Sequence, residues 1–307
     1  MKRYLARRLL VLAATALGAV TLVFFFTHLL PGDPVEVMLG ETASAFDKEA
    51  LRRELGLDQP VWRQYGRFLR QLAAADLGQS LYRKGAVLDL LLSRFPATLE
   101  LTLGAIAVAL FLAFPLGAGA AFKAGSLLDR AARLFSLLGL AMPNFWLGPL
   151  LIIAFSIELG WLPVSGRGGL RHLLLPALTL GMGMAAILTR MLRASLLEAM
   201  RQDYIRTARA KGAGEATIWL KHGLRNSLLS VITILGFQFG SLLTGSVITE
   251  TIFSWPGVGR LTVEAIQTRD YPLIQGCVLF ISLCYLCVNL AVDLLYSAVD
   301  PRIRYEK

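Results

Sequence analysis

The chain is poor in the residues that do most chemistry. Its 307 residues include only three histidines, His28, His172 and His222, and three cysteines, Cys277, Cys284 and Cys287. The histidines lie far apart, without the spacing of a ligand set, so no metal site is readable. The cysteines share one apolar stretch, where a thiol packs as a small polarizable hydrophobe. No Gly-x4-Gly-Lys-Ser/Thr occurs, so the chain lacks the usual cradle for the phosphates of ATP. Gly181-Met182-Gly183-Met184-Ala185-Ala186 matches a dinucleotide fingerprint in letters only, because it lies in an apolar run with no strand before it.

Charge is scarce as well. Only 17% of residues are charged while 55% are hydrophobic, and the mean hydropathy is +0.59, which is a membrane composition rather than that of an ordinary soluble domain. Apolar runs long enough to cross about 30 Å of hydrocarbon occur at Leu9–Leu30, Thr98–Phe122, Leu134–Ile157, Leu173–Thr189, Leu228–Thr249 and Gly276–Val299. The expected fold is therefore an all-α integral membrane protein with about six transmembrane helices. Pro176, Gly181 and Gly183 interrupt the fourth run, as neighbouring helices permit. The first run, about 22 residues behind Lys2, Arg3, Arg7 and Arg8, is longer than a signal-peptide core and no small-x-small cleavage site follows it. It is expected to remain as the first span, 9–30.

The formal net charge of +10 follows the topology. With the N-terminus in the cytoplasm, 18 Lys and Arg fall inside and 13 outside, and nine of those 13 lie in the long loop 31–96 beside nine Asp and Glu. This asymmetry sets an orientation, with both termini cytoplasmic, and makes nucleic acid unnecessary as a partner. Within that loop, Asp47–Leu55 and, after Pro60, Val61–Leu72 repeat apolar residues at three- and four-residue steps, which predicts two short amphipathic helices. They cap the outer mouth, lie on the membrane surface or pack on the ends of the spans. No internal repeat or linker separates a second domain, so residues 1–307 read as one transmembrane domain with core spans over 98–299.

The most basic stretch is 190–227, between the fourth and fifth spans and expected on the cytoplasmic side. Asp203-Tyr204-Ile205-Arg206-Thr207-Ala208-Arg209-Ala210-Lys211-Gly212 predicts a short helix ended by its glycine. Its alanines admit a close partner surface, and its basic residues suit acids on that surface. This segment resembles the cytoplasmic coupling motif of binding-protein-dependent ABC importer permeases, in the form found in the dipeptide, oligopeptide and nickel branch. Arg206-Thr207-Ala208 stands where the general motif has Glu-Ala-Ala, and Arg225 stands where a proline usually falls. The likeness extends through Leu30-Pro31-Gly32-Asp33-Pro34, Leu55-Gly56-Leu57-Asp58-Gln59-Pro60, Pro96-Ala97-Thr98-Leu99, Gly160-Trp161-Leu162-Pro163, Trp255-Pro256-Gly257-Val258-Gly259-Arg260, Arg269-Asp270-Tyr271-Pro272 and Asp300-Pro301-Arg302-Ile303-Arg304-Tyr305.

The resemblance implies a non-enzymatic transport subunit of the bacterial inner membrane. Its partners would be a second homologous permease subunit, two ATPase subunits that bind the ATP and Mg, and an extracytoplasmic substrate-binding protein. Arg206, Thr207, Ala208, Arg209, Ala210, Lys211 and Gly212 would couple to one ATPase. The branch carries dipeptides, oligopeptides, glutathione, nickel or metal chelates, and scarcity of histidine tilts the reading to dipeptides or short oligopeptides. The rival classes are an ATP-independent carrier or channel and an intramembrane enzyme, and no Ser/His/Asp set or paired acids at catalytic spacing support the last.

Polar residues in or beside spans are costly in lipid and should face protein or water. Asn144, Gln238, Glu250, Asn289 and Asp293 are therefore pore or packing candidates, and Asn289 and Asp293 share a helix face at i, i+4. Gly236 and Gly240 form a small-xxx-small step suited to close helix contact. Trp255, Pro256, Gly257 and Gly259 predict a tight turn outside the fifth span, read either as part of an outer gate or as a plain loop.

Overall fold

The computed structural model describes residues 2–29, 34–40, 43–54 and 56–299, all of them helix or the connections between helices apart from one isolated β-bridge, Gln79 with Ala86. The segments Pro31-Gly32-Asp33 and Asp300–Tyr305 lie outside the described residues. In chain order the helices are α1 (Lys2–Leu29), α2 (Pro34–Leu39), α3 (Ala45–Glu54), α4 (Val61–Ala73), α5 (Val87–Phe122), α6 (Leu127–Ala141), α7 (Asn144–Ile152), α8 (Leu170–Ala199), α9 (Asp203–Ala210), α10 (Glu215–Thr217), α11 (Arg225–Ile252), α12 (Val258–Gln267) and α13 (Tyr271–Val299). π-helical turns extend α7 over Ile153–Glu158 and join α10 to α11 over Ile218–Leu224.

Among the described residues, Val87–Phe122, Leu170–Ala199 and Tyr271–Val292 are each long and apolar enough to cross a membrane. Two bent pairs raise the number to five if each makes one span: Leu127–Ala141 with Asn144–Glu158, bent by 106°, and Glu215–Leu242 with Ser246–Ile252, bent by 55°. Leu10–Phe25 is a shorter apolar helix.

Among the differences from the sequence expectation, three concern the third run and the ends of α5 and α8. The run Leu134–Ile157 is not one straight span, because Met142 takes an extended conformation (φ −88°, ψ 115°) before Pro143 and ends α6. Proline's ring disfavours the helical region for the residue ahead of it, so the chain restarts at Asn144 in a new direction. Helix α5 begins at Val87 rather than Thr98, so its 36 residues reach about 54 Å at 1.5 Å per residue. Helix α8 continues ten residues beyond Thr189, because Leu192, Leu196 and Ala199 keep an inward face at helical spacing and remain buried. Pro176, the seventh residue of that helix, removes the bond that an N–H there would give to the His172 carbonyl, and the helix nevertheless continues through it.

The helices gather into two compact units. One comprises the chain up to Thr98 with Pro256–Leu286. Its core is Val87, Leu91, Val258, Leu261, Ala265, Leu273, Ile274 and Cys277. There α4 does form, and it lies on α1 through Phe24 against Tyr65 and Phe68, with the Thr21 and Tyr65 hydroxyls sharing a hydrogen bond at 2.7 Å. The turn after Tyr82 is tied to α12 by the pair Arg83–Glu264 at 2.5 Å.

The other unit comprises Leu99–Trp255 with the chain from Cys287 onward, and α8 runs through its middle against α6, α7 and α11. Small residues let these helices approach: a β-carbon on Gly139 would stand 2.8 Å from that of Ala186, and one on Gly181 2.7 Å from the carbonyl oxygen of Ala105. Backbones packed this closely use van der Waals contact rather than the hydrophobic effect, which is weak between helices in lipid.

Candidate functional site

The basic segment folds as its residues dictate. Asp203 lies in the first turn of α9, where negative charge suits the helix dipole, and the Thr207 hydroxyl donates back to the Asp203 carbonyl at 3.1 Å. Ile205 is the single buried residue of α9 and anchors it. Around that anchor, Arg206, Thr207, Arg209, Ala210 and Lys211 are exposed and Ala208 is half-buried. The helix ends as predicted. Gly212 has φ +81°, Ala213 N–H donates to the Ala208 carbonyl at 3.1 Å, and Gly212 N–H donates to that of Arg209 at 2.9 Å. These bonds close the last turn around a left-handed residue that glycine adopts without strain.

Beyond the turn, the Arg209 guanidinium grips Glu215 through two bonds, Nε to Oε1 at 2.8 Å and Nη2 to Oε2 at 3.3 Å. The hydrogen bond to Glu215 raises the pKa of Arg209 and lowers that of Glu215. Arg206 turns back to Asp203 at 3.4 Å. The segment leaves through Gly223, which packs beside the Met200 sulfur, so the incoming and outgoing arms touch. The result is a short exposed helix with a small-residue surface, a basic rim and two ends tied to the helices that carry it.

The intramembrane candidates disperse over α7, α11 and α13. Asn144 opens α7 at the 106° bend and is half-buried. On α11, a β-carbon at Gly236 would meet Val292 Cγ1 of α13 at 2.6 Å, which is the close helix contact that its small size suggests. Gly240 is buried and Gln238 half-buried on the same helix. Glu250 is wholly buried and accepts from the Ser246 hydroxyl at 3.1 Å. Asn289 is half-buried on α13, and the Asp293 side chain lies outside the described ones.

At the end of α11, Ser254 takes φ +49° and Trp255 N–H donates to the Glu250 carbonyl at 2.8 Å, which makes the expected turn. The Trp255 ring is fully buried. Pro256 is half-buried, and Gly257 caps α12, whose second residue is the buried Gly259. Helix α12 itself was not apparent in the sequence, although its apolar residues at Val258, Leu261 and Ala265 have helical spacing.

Two polar clusters escaped sequence reasoning. Asp270 is fully buried and accepts from the Ser80 hydroxyl at 2.5 Å, Tyr82 N–H at 3.2 Å and Leu273 N–H at 3.2 Å. Its position just ahead of Tyr271-Pro272 is a legible helix cap; its partner Ser80, 190 residues away, is not. The second cluster is Asp129 with Arg193, whose Nε and Nη2 donate to the two carboxylate oxygens at 2.6 and 3.0 Å.

Comparison with known proteins decides what this arrangement belongs to. Residues 113–305 match the model of the binding-protein-dependent transport system inner membrane component, and residues 1–102 match the N-terminal model of the same kind of membrane component. The chain belongs to this family of ABC importer permeases. As a family member it is a transport subunit of a multi-pass membrane protein class, with an all-α fold. This permease is 44% identical over 306 residues to the glutathione transport system permease protein GsiC of Escherichia coli, spanning 100% of both chains, and 45% identical, with the same coverage, to GsiC of Pectobacterium atrosepticum. Among solved structures, the inward-facing methionine ABC transporter MetNI aligns with a TM-score of 0.55 at 19% identity over 69% of this chain and 96% of that one. An amino acid ABC transporter with histidines aligns at 0.54 and 19% over 70% and 94%. At that identity the two structures speak for the permease fold alone.

Proposed function

We propose that this permease forms half of the pore of a bacterial inner-membrane importer for glutathione. The observation that carries the substrate is the end-to-end likeness to glutathione transport permeases, and it moves the reading from the dipeptides or short oligopeptides expected from composition to one γ-linked tripeptide. Dipeptides are the second reading, and nickel or a metallophore the third.

In this proposal residues 1–307 act as one transmembrane domain of six spans, the first of them α1, with both termini in the cytoplasm. A second homologous permease completes the pore, an extracytoplasmic binding protein delivers the solute, and two ATPase subunits hold ATP and Mg. Helix α9 with Lys211 and Gly212 enters a groove of one ATPase. The support for this is its exposed surface, its small residues and its basic rim. Closure of the ATPases displaces α9 and shifts the spans between inward- and outward-facing states, each nucleotide state favouring the conformation that it binds better. Asn144, Gln238, Glu250, Asn289 and Asp293 are the polar groups offered to the pore or to its packing, and Trp255 to Gly259 contribute to the outer closure.

Mass spectrometry of the ligand retained by the cognate binding protein, purified without denaturation, tests the substrate. Bound glutathione supports the reading. Bound short peptides return it to a peptide importer, and a bound metal chelate moves it to the nickel branch.

A further inference from the structure

Asp129, in the first turn of α6, is 1% exposed and Arg193, near the end of α8, is 23% exposed. The guanidinium meets the carboxylate in a two-bond fork, 2.6 Å from Nε to Oδ1 and 3.0 Å from Nη2 to Oδ2. The same carboxylate accepts from Gly125 N–H in the α5–α6 turn at 2.9 Å, and Arg133 lies at 3.6 Å. The Asp129 N–H in turn donates to the cap hydroxyl of Ser126 at 3.4 Å. One side chain thus ties the turn, the start of α6 and the last part of α8.

Buried ion pairs stabilise a fold weakly compared with apolar packing, so stability alone does not account for this one. A fork of two parallel bonds does fix direction, which a hydrophobic contact does not. Its location gives that direction a use. Arg193 precedes the first residue of α9, Asp203, by ten positions, with α8 running on to Ala199 and a three-residue turn, Met200 to Gln202, joining it to α9. Above the fork, Gly139 closes on Ala186, and a β-carbon on Gly117 of α5 would stand 2.9 Å from the Thr189 carbonyl, so α5, α6 and α8 have little room to slide. Helix α6 ends at the 106° bend, where α7 begins with Asn144.

We infer that the Asp129–Arg193 pair is a positioning joint of transport, which makes α6 move with α8 when α9 is displaced and so carries the displacement to the bend at Asn144. The inference rests on the reading of α9 as the ATPase contact. Without the fork, the last turns of α8, beyond the close contacts at Ala186 and Thr189, could bend with α9 while α6 stayed behind, and ATP would be hydrolysed with less solute moved.

The test uses the complete importer in proteoliposomes, with both permeases, both ATPases and the binding protein, and labelled glutathione as the probe. Uptake and ATP hydrolysis are measured together for Asp129→Asn and Arg193→Lys, and the ATPase retained by each complex is quantified. Uptake per ATP is expected to fall by at least about fivefold in Asp129→Asn with the ATPase still bound. Arg193→Lys, which keeps the charge and loses the fork, should fall between it and the parent. A parent-like ratio in both variants overturns the inference, as does a parallel loss of uptake and hydrolysis that leaves the ratio unchanged. If Asp129→Asn does not assemble, Arg193→Lys decides alone on the same ratio. Ala208→Glu separates the two readings: normal stimulated hydrolysis in that variant removes the role of α9, whereas its loss together with a parent-like ratio in the joint variants removes only the joint.

Discussion

The carbonyl oxygen of Ala105 stands 2.7 Å from where a β-carbon on Gly181 would be, and Val108 Cγ1 follows at 3.1 Å. The obstacle on the α5 side is backbone, which cannot rotate away as a side-chain tip can. Gly181→Val should therefore push α5 and α8 apart and cost about 1–3 kcal/mol, the range for overpacking a tight contact. The thermal midpoint of the purified permease in detergent, followed by tryptophan fluorescence, is expected to drop by several degrees. An unchanged midpoint would mean that the two helices are not held at this separation.

The surface of α9 gives a second prediction. Ala208 is half-buried and Ala210 exposed beside the basic rim, and either one enlarged to Glu or Arg should keep a close partner away. Hydrolysis of ATP stimulated by the loaded binding protein is expected to be abolished, with membrane insertion and yield as in the parent. Normal stimulation would remove α9 from the role of ATPase contact.

How much of this was legible in the sequence depends on the range of the interaction concerned. Helix α9 and its end at Gly212 were readable, since capping, small residues and charge are local signals. The two amphipathic helices of the first loop were readable for the same reason. The break in the third apolar run had a signal too, because Pro143 stands in its middle, but a count of apolar residues hides the turn that a proline imposes on Met142. The early start of α5 at Val87 and the extension of α8 past Thr189 fell outside the hydropathy windows because Asp89, Arg94, Arg190 and Arg193 lower the average without breaking a helix. The polar clusters were the least legible. Asp129 and Arg193 are 64 residues apart, and Ser80 and Asp270 are 190 apart, so nothing in either neighbourhood names the partner. The proposed substrate was not written in composition, since scarcity of histidine bears on metals far more than on the choice between one small peptide and another.

Gly212 offers a test of backbone geometry separate from packing. A β-carbon there would meet nothing within 4 Å, yet φ is +81°. Within this chain, substitution thus acts through the left-handed conformation, which costs a non-glycine residue about 1–2 kcal/mol, less for Asn. Stimulated hydrolysis is expected to fall in the order Gly, Asn, Ala, Val, with the ATPase held progressively more weakly in pull-downs. Equal activity for Val and Gly would show that the turn after α9 need not keep this shape.

Asp270 joins three donors in the unit formed by the N-terminal portion and α12–α13, and it caps α13 through Leu273 N–H. Replacing it by Ala leaves the Ser80 hydroxyl and Tyr82 N–H without their buried acceptor. Hydrogen bonds to a charged group contribute about 1.5–3 kcal/mol each in net terms, and Asp270→Ala should lose at least one such increment. Asn retains an acceptor oxygen and should lose less, and Ser80→Ala, which removes one donor and leaves two, less again. Thermal midpoints of the three variants in one detergent should follow that order, and the segment from Ser80 to Ala86 should become the earliest new site of limited proteolysis in Asp270→Ala. A midpoint for Asp270→Ala equal to that of the parent would mean that this carboxylate does not hold the turn to α13.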